Sequence, residues 1–150
     1  MCIRDSYIKA HFVRDISDAA IDAMVASFTN VPSPLSLITL QQLGNAAGRV
    51  PAGATAFGHR NARYELNVVS IWRDRADDSA NVGWARELSD VLRPTGTGGM
   101  YVNQLGLEGE EGAERIRAAF GPNYDRLLAL KAKYDPTNFF RHNQNIVPAA

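Results

Sequence analysis

Cysteine is nearly missing from this chain. Cys2 is the single one among 150 residues, which excludes an intrachain disulfide framework and a multi-cysteine metal site. Three scattered histidines do not make up the deficit, so no zinc-type centre is expected. No apolar run approaches the roughly 20 residues that cross a bilayer, and the N-terminal stretch lacks the apolar core of a secretory signal. Acidic and basic residues balance at 16 each. Without a block rich in Lys and Arg, neither nucleic acid nor an anionic membrane is the expected partner; small molecules and protein surfaces remain. There is no Gly-x-Gly-x-x-Gly fingerprint, no phosphate loop ending in Gly-Lys-Ser/Thr, no Gly-x-Ser-x-Gly elbow and no His-Glu-x-x-His pair. What is present is the composition of one domain, 45% apolar, long enough to bury about 70% of its unfolded surface.

Periodicity divides the chain into short elements. Residues 7–13 mix β-branched and aromatic side chains with polar ones, as strands do. Ser17 offers an N-cap to a helix in which Ile21, Met24, Val25 and Phe28 recur at helical spacing, and Asn30, Pro32 and Pro34 stop it. A second strand is expected over 35–41, then a Gly/Ala/Pro-rich loop through Gly44, Gly48, Pro51 and Gly53. From 62 to 73 the alternation is clear, with Tyr64, Leu66, Val68, Ser70 and Trp72 on one face and Glu65, Asn67, Val69, Ile71 and Arg73 on the other. A helix over 76–92 follows, closed by Pro94 and Gly96, and then a short strand from Met100 to Gln104. Two helices complete the chain, the last with Pro122 in its first turn and Asp135-Pro136 at its end. Strand, helix, strand, strand, helix, strand is the ferredoxin-like order. The expected class is therefore α+β, an antiparallel sheet with helices on one face.

Three segments carry a resemblance. The tail Tyr134-Asp135-Pro136-Thr137-Asn138-Phe139-Phe140-Arg141-His142-Asn143-Gln144-Asn145-Ile146 resembles the C-terminal signature of the berberine-bridge-enzyme-like FAD-linked oxidases. Asn123-Tyr124-Asp125-Arg126-Leu127-Leu128-Ala129-Leu130-Lys131-Ala132-Lys133 and Gly98-Gly99-Met100-Tyr101-Val102-Asn103 match the same family in the same order. The resemblance implies the C-terminal part of a flavoenzyme whose N-terminal FAD-binding domain lies outside this sequence. It implies a substrate-domain portion over 7–104, with the helices and tail of 105–150 returning to that FAD-binding domain. Residues 1–6, Met1-Cys2-Ile3-Arg4-Asp5-Ser6, resemble a translated sequencing-adapter leader and are set apart from the fold.

The resemblance also implies a site. Tyr101 and Asn103, two apart on the expected strand, leave one face, while Gln104 points with Met100 and Val102 to the other. In the family the Tyr-x-Asn segment runs beside the flavin, and a second tyrosine often follows the Asn. Here that position is Gln104, whose amide can orient a substrate but cannot act as a general base. His59 and Arg60 match the family's Ala-Phe-Pro-His-Arg segment, with Gly58 in place of proline. His59 is read either as a catalytic candidate or as a hydrogen-bonded structural residue. Tyr101 likewise has a packing alternative. Asn143, Gln144 and Asn145 offer a row of amides suited to the polar edge of the FAD ring system. Arg73 reads either as a solvated strand-end cation or as an anchor for an anionic substrate.

Two functions follow. One is part of an FAD-dependent oxidoreductase that oxidises an alcohol, amine or related small molecule by hydride transfer to flavin, Tyr101, Gln104 and His59 being catalytic candidates and Asn103, Asn143, Gln144 and Asn145 cofactor contacts. The other is a free-standing ferredoxin-like binding or dimerisation module without redox activity.

Overall fold

The computed structural model describes residues 5–105, 108–142 and 144–148, the stretch 108–112 by its backbone. Three strands, β1 (Asp5–Val13), β2 (Leu37–Gln42) and β3 (Tyr64–Trp72), form an antiparallel sheet in the order β1-β3-β2. β3 is central. It pairs with β1 from Asp5↔Trp72 to Val13↔Tyr64 and with β2 from Leu37↔Val69 to Gln42↔Tyr64. Asp5 and Ser6, expected to precede the fold, are the first two residues of β1; residues 1–4 lie outside the described part.

Helices α1 (Asp18–Phe28) and α2 (Asp78–Leu92) cover one face. Ser17 caps α1 by accepting from the Ala20 amide at 3.2 Å. The alternation expected for β3 holds: Leu66 and Val68 pack with Val13 against Met24 of α1 and Trp84, Ala85, Leu88 and Leu92 of α2. The apolar stripe of α1 is rotated from expectation. Ala20 and Met24 are buried, whereas Ile21, Val25 and Phe28 stay exposed; α2 is the main neighbour of α1. Polar pins run through the same layer. Ser70 donates to Asn81 Oδ1 at 3.0 Å, the Trp72 indole to Asp78 at 2.6 Å and the Trp84 indole to the Ser27 carbonyl at 3.1 Å. Each satisfies a group that would otherwise be costly to bury.

The expected strand over Met100–Gln104 is not formed. The chain touches the outer edge of β1 earlier, through a bridge between Val13 and Gly96 and bonds from Thr97 N to Phe12 O (2.7 Å) and from Phe12 N to Gly99 O (3.1 Å). That edge is where a fourth ferredoxin-like strand would lie. Gly98, at φ +83°, bends the chain away, and Val102–Gln104 closes into a 3₁₀ turn. α3 (Glu108–Phe120), a 3₁₀ turn at Gly121–Asn123 and α4 (Tyr124–Tyr134) follow. The class is as expected, α+β with an open antiparallel sheet, one strand poorer.

Among the described residues no helix is long and apolar enough to cross a membrane. None of them form a group of three or more acidic, His or Cys side chains able to hold a metal.

Candidate functional site

Because strand side chains alternate, the face of the sheet away from α1 and α2 is set by register. β1 contributes Ile8, Ala10 and Phe12, β3 contributes Glu65, Asn67, Val69 and Ile71, and β2 contributes Leu37, Thr39 and Gln41. One end of this face is covered. Phe57 meets Phe12 edge-on with ring centroids 5.7 Å apart, and His59 lies over Phe12 at 5.1 Å.

His59 shows how that cover is fastened. Its Nε2 lies 2.9 Å from the Ala118 carbonyl and 3.0 Å from the Ala119 carbonyl. Both partners are acceptors, so Nε2 carries the hydrogen and donates to the C-terminal turn of α3, where carbonyls lack helical partners. Gly99 and Gly121 border the ring closely. Asn123 ties the same junction to the loop, donating to the carbonyls of Ala52 (2.7 Å) and Thr55 (3.0 Å). Gly58 is needed there for closeness: a Cβ would lie 3.0 Å from Asn123 Nδ2 and 3.2 Å from the Phe120 oxygen. The Arg60 guanidinium binds the Phe57 and Ala47 carbonyls and the Thr55 hydroxyl. The loop expected to be irregular is thus clamped by its own basic residue. A cleft of 640 Å³ opens beside it, with Arg49, His59, Arg60 and Thr97 in its wall.

The Tyr101–Gln104 segment differs from expectation in geometry. Tyr101 caps a 3₁₀ turn and Asn103 lies within it, instead of the two sharing a strand face, and the Asn103 amide donates to the Tyr101 hydroxyl at 2.9 Å. Gln104 is half-buried. The turn does bring the tail close, since Gln144 Nε2 donates to the Leu105 carbonyl at 3.1 Å. Tyr101, Asn103, Gln104 and Gln144 therefore belong to one neighbourhood, with the half-buried Asn145 next in the chain. His59 is bound into the loop and α3 junction. Asn143 lies outside the described residues. Arg73 is exposed just beyond β3.

The tail is anchored by Asp135. Its carboxylate accepts from the amides of Phe139 (2.7 Å) and Phe140 (3.1 Å) and from Lys131, which also donates to the Phe140 carbonyl at 2.6 Å. The Lys131 hydrogen bond, with the two amides, holds the Asp135 carboxyl below the usual carboxylate range. The turn so formed leaves Phe139 and Phe140 76% and 75% exposed.

Glu65 and Asn67 are members of the site that sequence reasoning passed over. Both are 4% exposed, yet Glu65 Oε1 and Asn67 Oδ1 are buried without a hydrogen-bond partner. Burial pushes the Glu65 carboxyl above its ordinary value. Alternation placed these residues on one face with Val69, Ile71 and Arg73 and singled out neither. Their signal was a polar pair in the middle of the longest alternating segment.

The profile of the family described as "Berberine and berberine like" matches residues 100–147. The chain is 33% identical over 135 residues to the uncharacterized FAD-linked oxidoreductase YgaK of Bacillus subtilis, covering 90% of this chain and 29% of that protein. It is 30% identical over 125 residues to the monolignol oxidoreductase AtBBE-like 13 of Arabidopsis thaliana, covering 76% and 23%. The solved structure of BBE-like #28 from Arabidopsis thaliana superposes with a TM-score of 0.87 at 24% identity, over 98% of this chain and 34% of that one. The chain thus spans about a third or less of the length of these relatives.

Proposed function

The chain belongs to the berberine-bridge-enzyme-like FAD-linked oxidoreductases, and from that premise we propose that it supplies the substrate side of a flavin-dependent oxidation of an alcohol, amine or related small molecule. The observation that carries the reading is the face of the sheet away from α1 and α2, where two buried acceptors, Glu65 Oε1 and Asn67 Oδ1, lack partners. A substrate bearing a hydroxyl or N–H group would satisfy them. The relative that is a monolignol oxidoreductase supports an alcohol as the substrate class.

The residues present suit FAD. Asn103, Gln104, Gln144 and Asn145 are amides, able to donate and accept along the polar edge of its ring system, and the bond from Gln144 to Leu105 gathers their two segments. In this reading Asn103, Gln144 and Asn145, with Asn143, hold the cofactor, while Tyr101 and Gln104 orient the substrate. His59 acts indirectly, by fastening the loop over the sheet. FAD, when bound, supplies the acceptor for the hydride leaving the substrate carbon. The residues 7–104 form the substrate portion, and 105–150 dock on an FAD-binding domain that the exposed Phe139 and Phe140 would meet.

Mixing the purified chain with FAD tests this division. Weak or undetectable binding is expected from the chain alone, with stoichiometric FAD in the full-length protein. Tight stoichiometric binding by the chain alone overturns it, and a flavin-free symmetric dimer of the full-length protein favours the binding-module alternative.

A further inference from the structure

Positive charge gathers without a counter-ion beside the clamped loop. Residues 23–64 contain no Asp or Glu, yet they place two guanidiniums, Arg49 and Arg60, in the wall of the 640 Å³ cleft, and no described acidic side chain lines it. Elsewhere arginines meet carboxylates, Arg63 at Asp15 (2.8 Å) and Arg117 at Asp125 (2.6 Å). Arg60 instead binds neutral acceptors, the Phe57 and Ala47 carbonyls and the Thr55 hydroxyl, and its guanidinium lies 4.8 Å from the centroid of the Phe57 ring. Half-buried and engaged on every side, that charge is fixed in place. The Arg49 side chain has no hydrogen bond or ion pair among the described residues, and neither do the Asn61 amide and the Thr97 hydroxyl in the same wall. A lone exposed arginine is ordinary. Two held in one concave wall repel each other, and an anion between them removes the repulsion.

We propose that this cleft seats a phosphate monoester, a dianion whose charge matches the two guanidiniums. Arg49 presents its fork to two phosphate oxygens, the Thr97 hydroxyl and the Asn61 amide serve the third, and Arg60, whose donors are engaged, contributes charge. The volume falls within the roughly 300–1,000 Å³ of small-molecule sites and leaves room for an organic remainder against Val50, Pro51 and Pro122.

No strand residue lines the cleft. The seat is therefore separate from the sheet face and stands whether or not that face binds an alcohol. Its loop is the one that lays Phe57 and His59 over Phe12, and Thr97 is tied to the same residue through the bond from its amide to the Phe12 carbonyl at 2.7 Å. A bound ester joins Arg49 to Thr97 and so holds that cover down.

Phenyl phosphate tests the seat on the full-length protein with its flavin in place. At about pH 8 it is a dianion, the second ionisation of such monoesters lying at about 6, and benzoate at matched ionic strength is its singly charged control. Calorimetry should show saturable binding of phenyl phosphate with a Kd below about 10 mM, and benzoate at least about tenfold weaker. Arg49→Gln should raise the phenyl phosphate Kd about tenfold or more, the scale of a charge-assisted fork, and Thr97→Val about threefold, the scale of one neutral hydrogen bond. Arg75→Gln, at an exposed arginine outside the cleft, should leave it unchanged. All three positions are exposed, so the variants keep the core intact. No saturation below that concentration, equal affinity for benzoate, or the same Kd in Arg49→Gln as in the wild type overturns the proposal. So does a loss in Arg75→Gln equal to that in Arg49→Gln, which marks diffuse attraction, and so does binding confined to flavin-depleted protein, which assigns the phosphate to the cofactor's own site. Flavin content and flavin reduction by an alcohol report separately on the oxidoreductase reading.

Discussion

Gly99 is a glycine for the sake of His59. Its φ is not in the left-handed region, so alanine would bring no backbone strain there, but a Cβ would overlap the His59 imidazole at Cε1, Nδ1 and Nε2. Forcing a methyl into a filled site costs about 1–3 kcal/mol. His59→Ala removes the donor to the Ala118 and Ala119 carbonyls and the ring over Phe12. The hydrogen bond is worth about 1 kcal/mol and the ring contact about 0.5–1.5 kcal/mol beyond its burial, so about 1.5–2.5 kcal/mol is expected from the two. In the His59→Ala background the space opens, and Gly99→Ala should cost only a few tenths, a coupling of about 1–3 kcal/mol between two residues 40 positions apart. Hydrogen exchange reads it locally, at the amides of Phe12 and Thr97, which bond to Gly99 O and Phe12 O. Each 1.4 kcal/mol of lost local stability speeds exchange about tenfold. Costs that add within about 0.5 kcal/mol in the double variant would refute the steric account of Gly99.

Two further predictions concern other parts of the molecule. His11 is half-buried beside α2, 2.9 Å from Ser89 Oγ. Burial first, then the charges of Arg115, Arg93 and Lys9, lower its pKa from 6.5 against the opposing effect of Ser89. A depressed folded value means the unfolded chain takes up the proton first, so this contribution is full above pH 6.5 and is lost as pH falls through the folded value. Urea midpoints measured against pH should show that loss in the wild type and much less of it in His11→Gln. At the other end, Lys131→Met should release the turn that Asp135 holds. Chymotryptic cleavage after Phe139 or Phe140 should then accelerate by roughly tenfold, the scale of one charge-assisted hydrogen bond, with exchange in β3 unchanged. Equal cleavage rates would show that the tail is held elsewhere.

The sequence by itself determined the elements whose signal is local and repeated. β3 alternates, so both of its faces were legible residue by residue. Ser17 and Pro122 marked helix starts, and Asp135-Pro136 ended α4 because a pre-proline residue resists the helical region. The family was legible in the tail and in the Tyr101–Asn103 segment, where residue identities rather than periods carry the information.

Only the tertiary structure decided the rest, because it depends on which atoms distant segments bring together. A strand over 100–104 was locally reasonable, but the edge of β1 is met earlier, by Gly96–Gly99, and Gly98 turns the chain away. The left-over polarity of Tyr101 and Asn103 is spent on each other. His59 looked equally suited to chemistry or structure until two carbonyls 59 and 60 residues on claimed its Nε2. Glu65 and Asn67 were legible only as sharing a face with Val69 and Ile71. Their burial depends on what distant segments lay over that end of the sheet, as Phe57 and His59 do over Phe12, the β1 partner of Glu65, and no local pattern records it or the pair of unpartnered oxygens that comes with it.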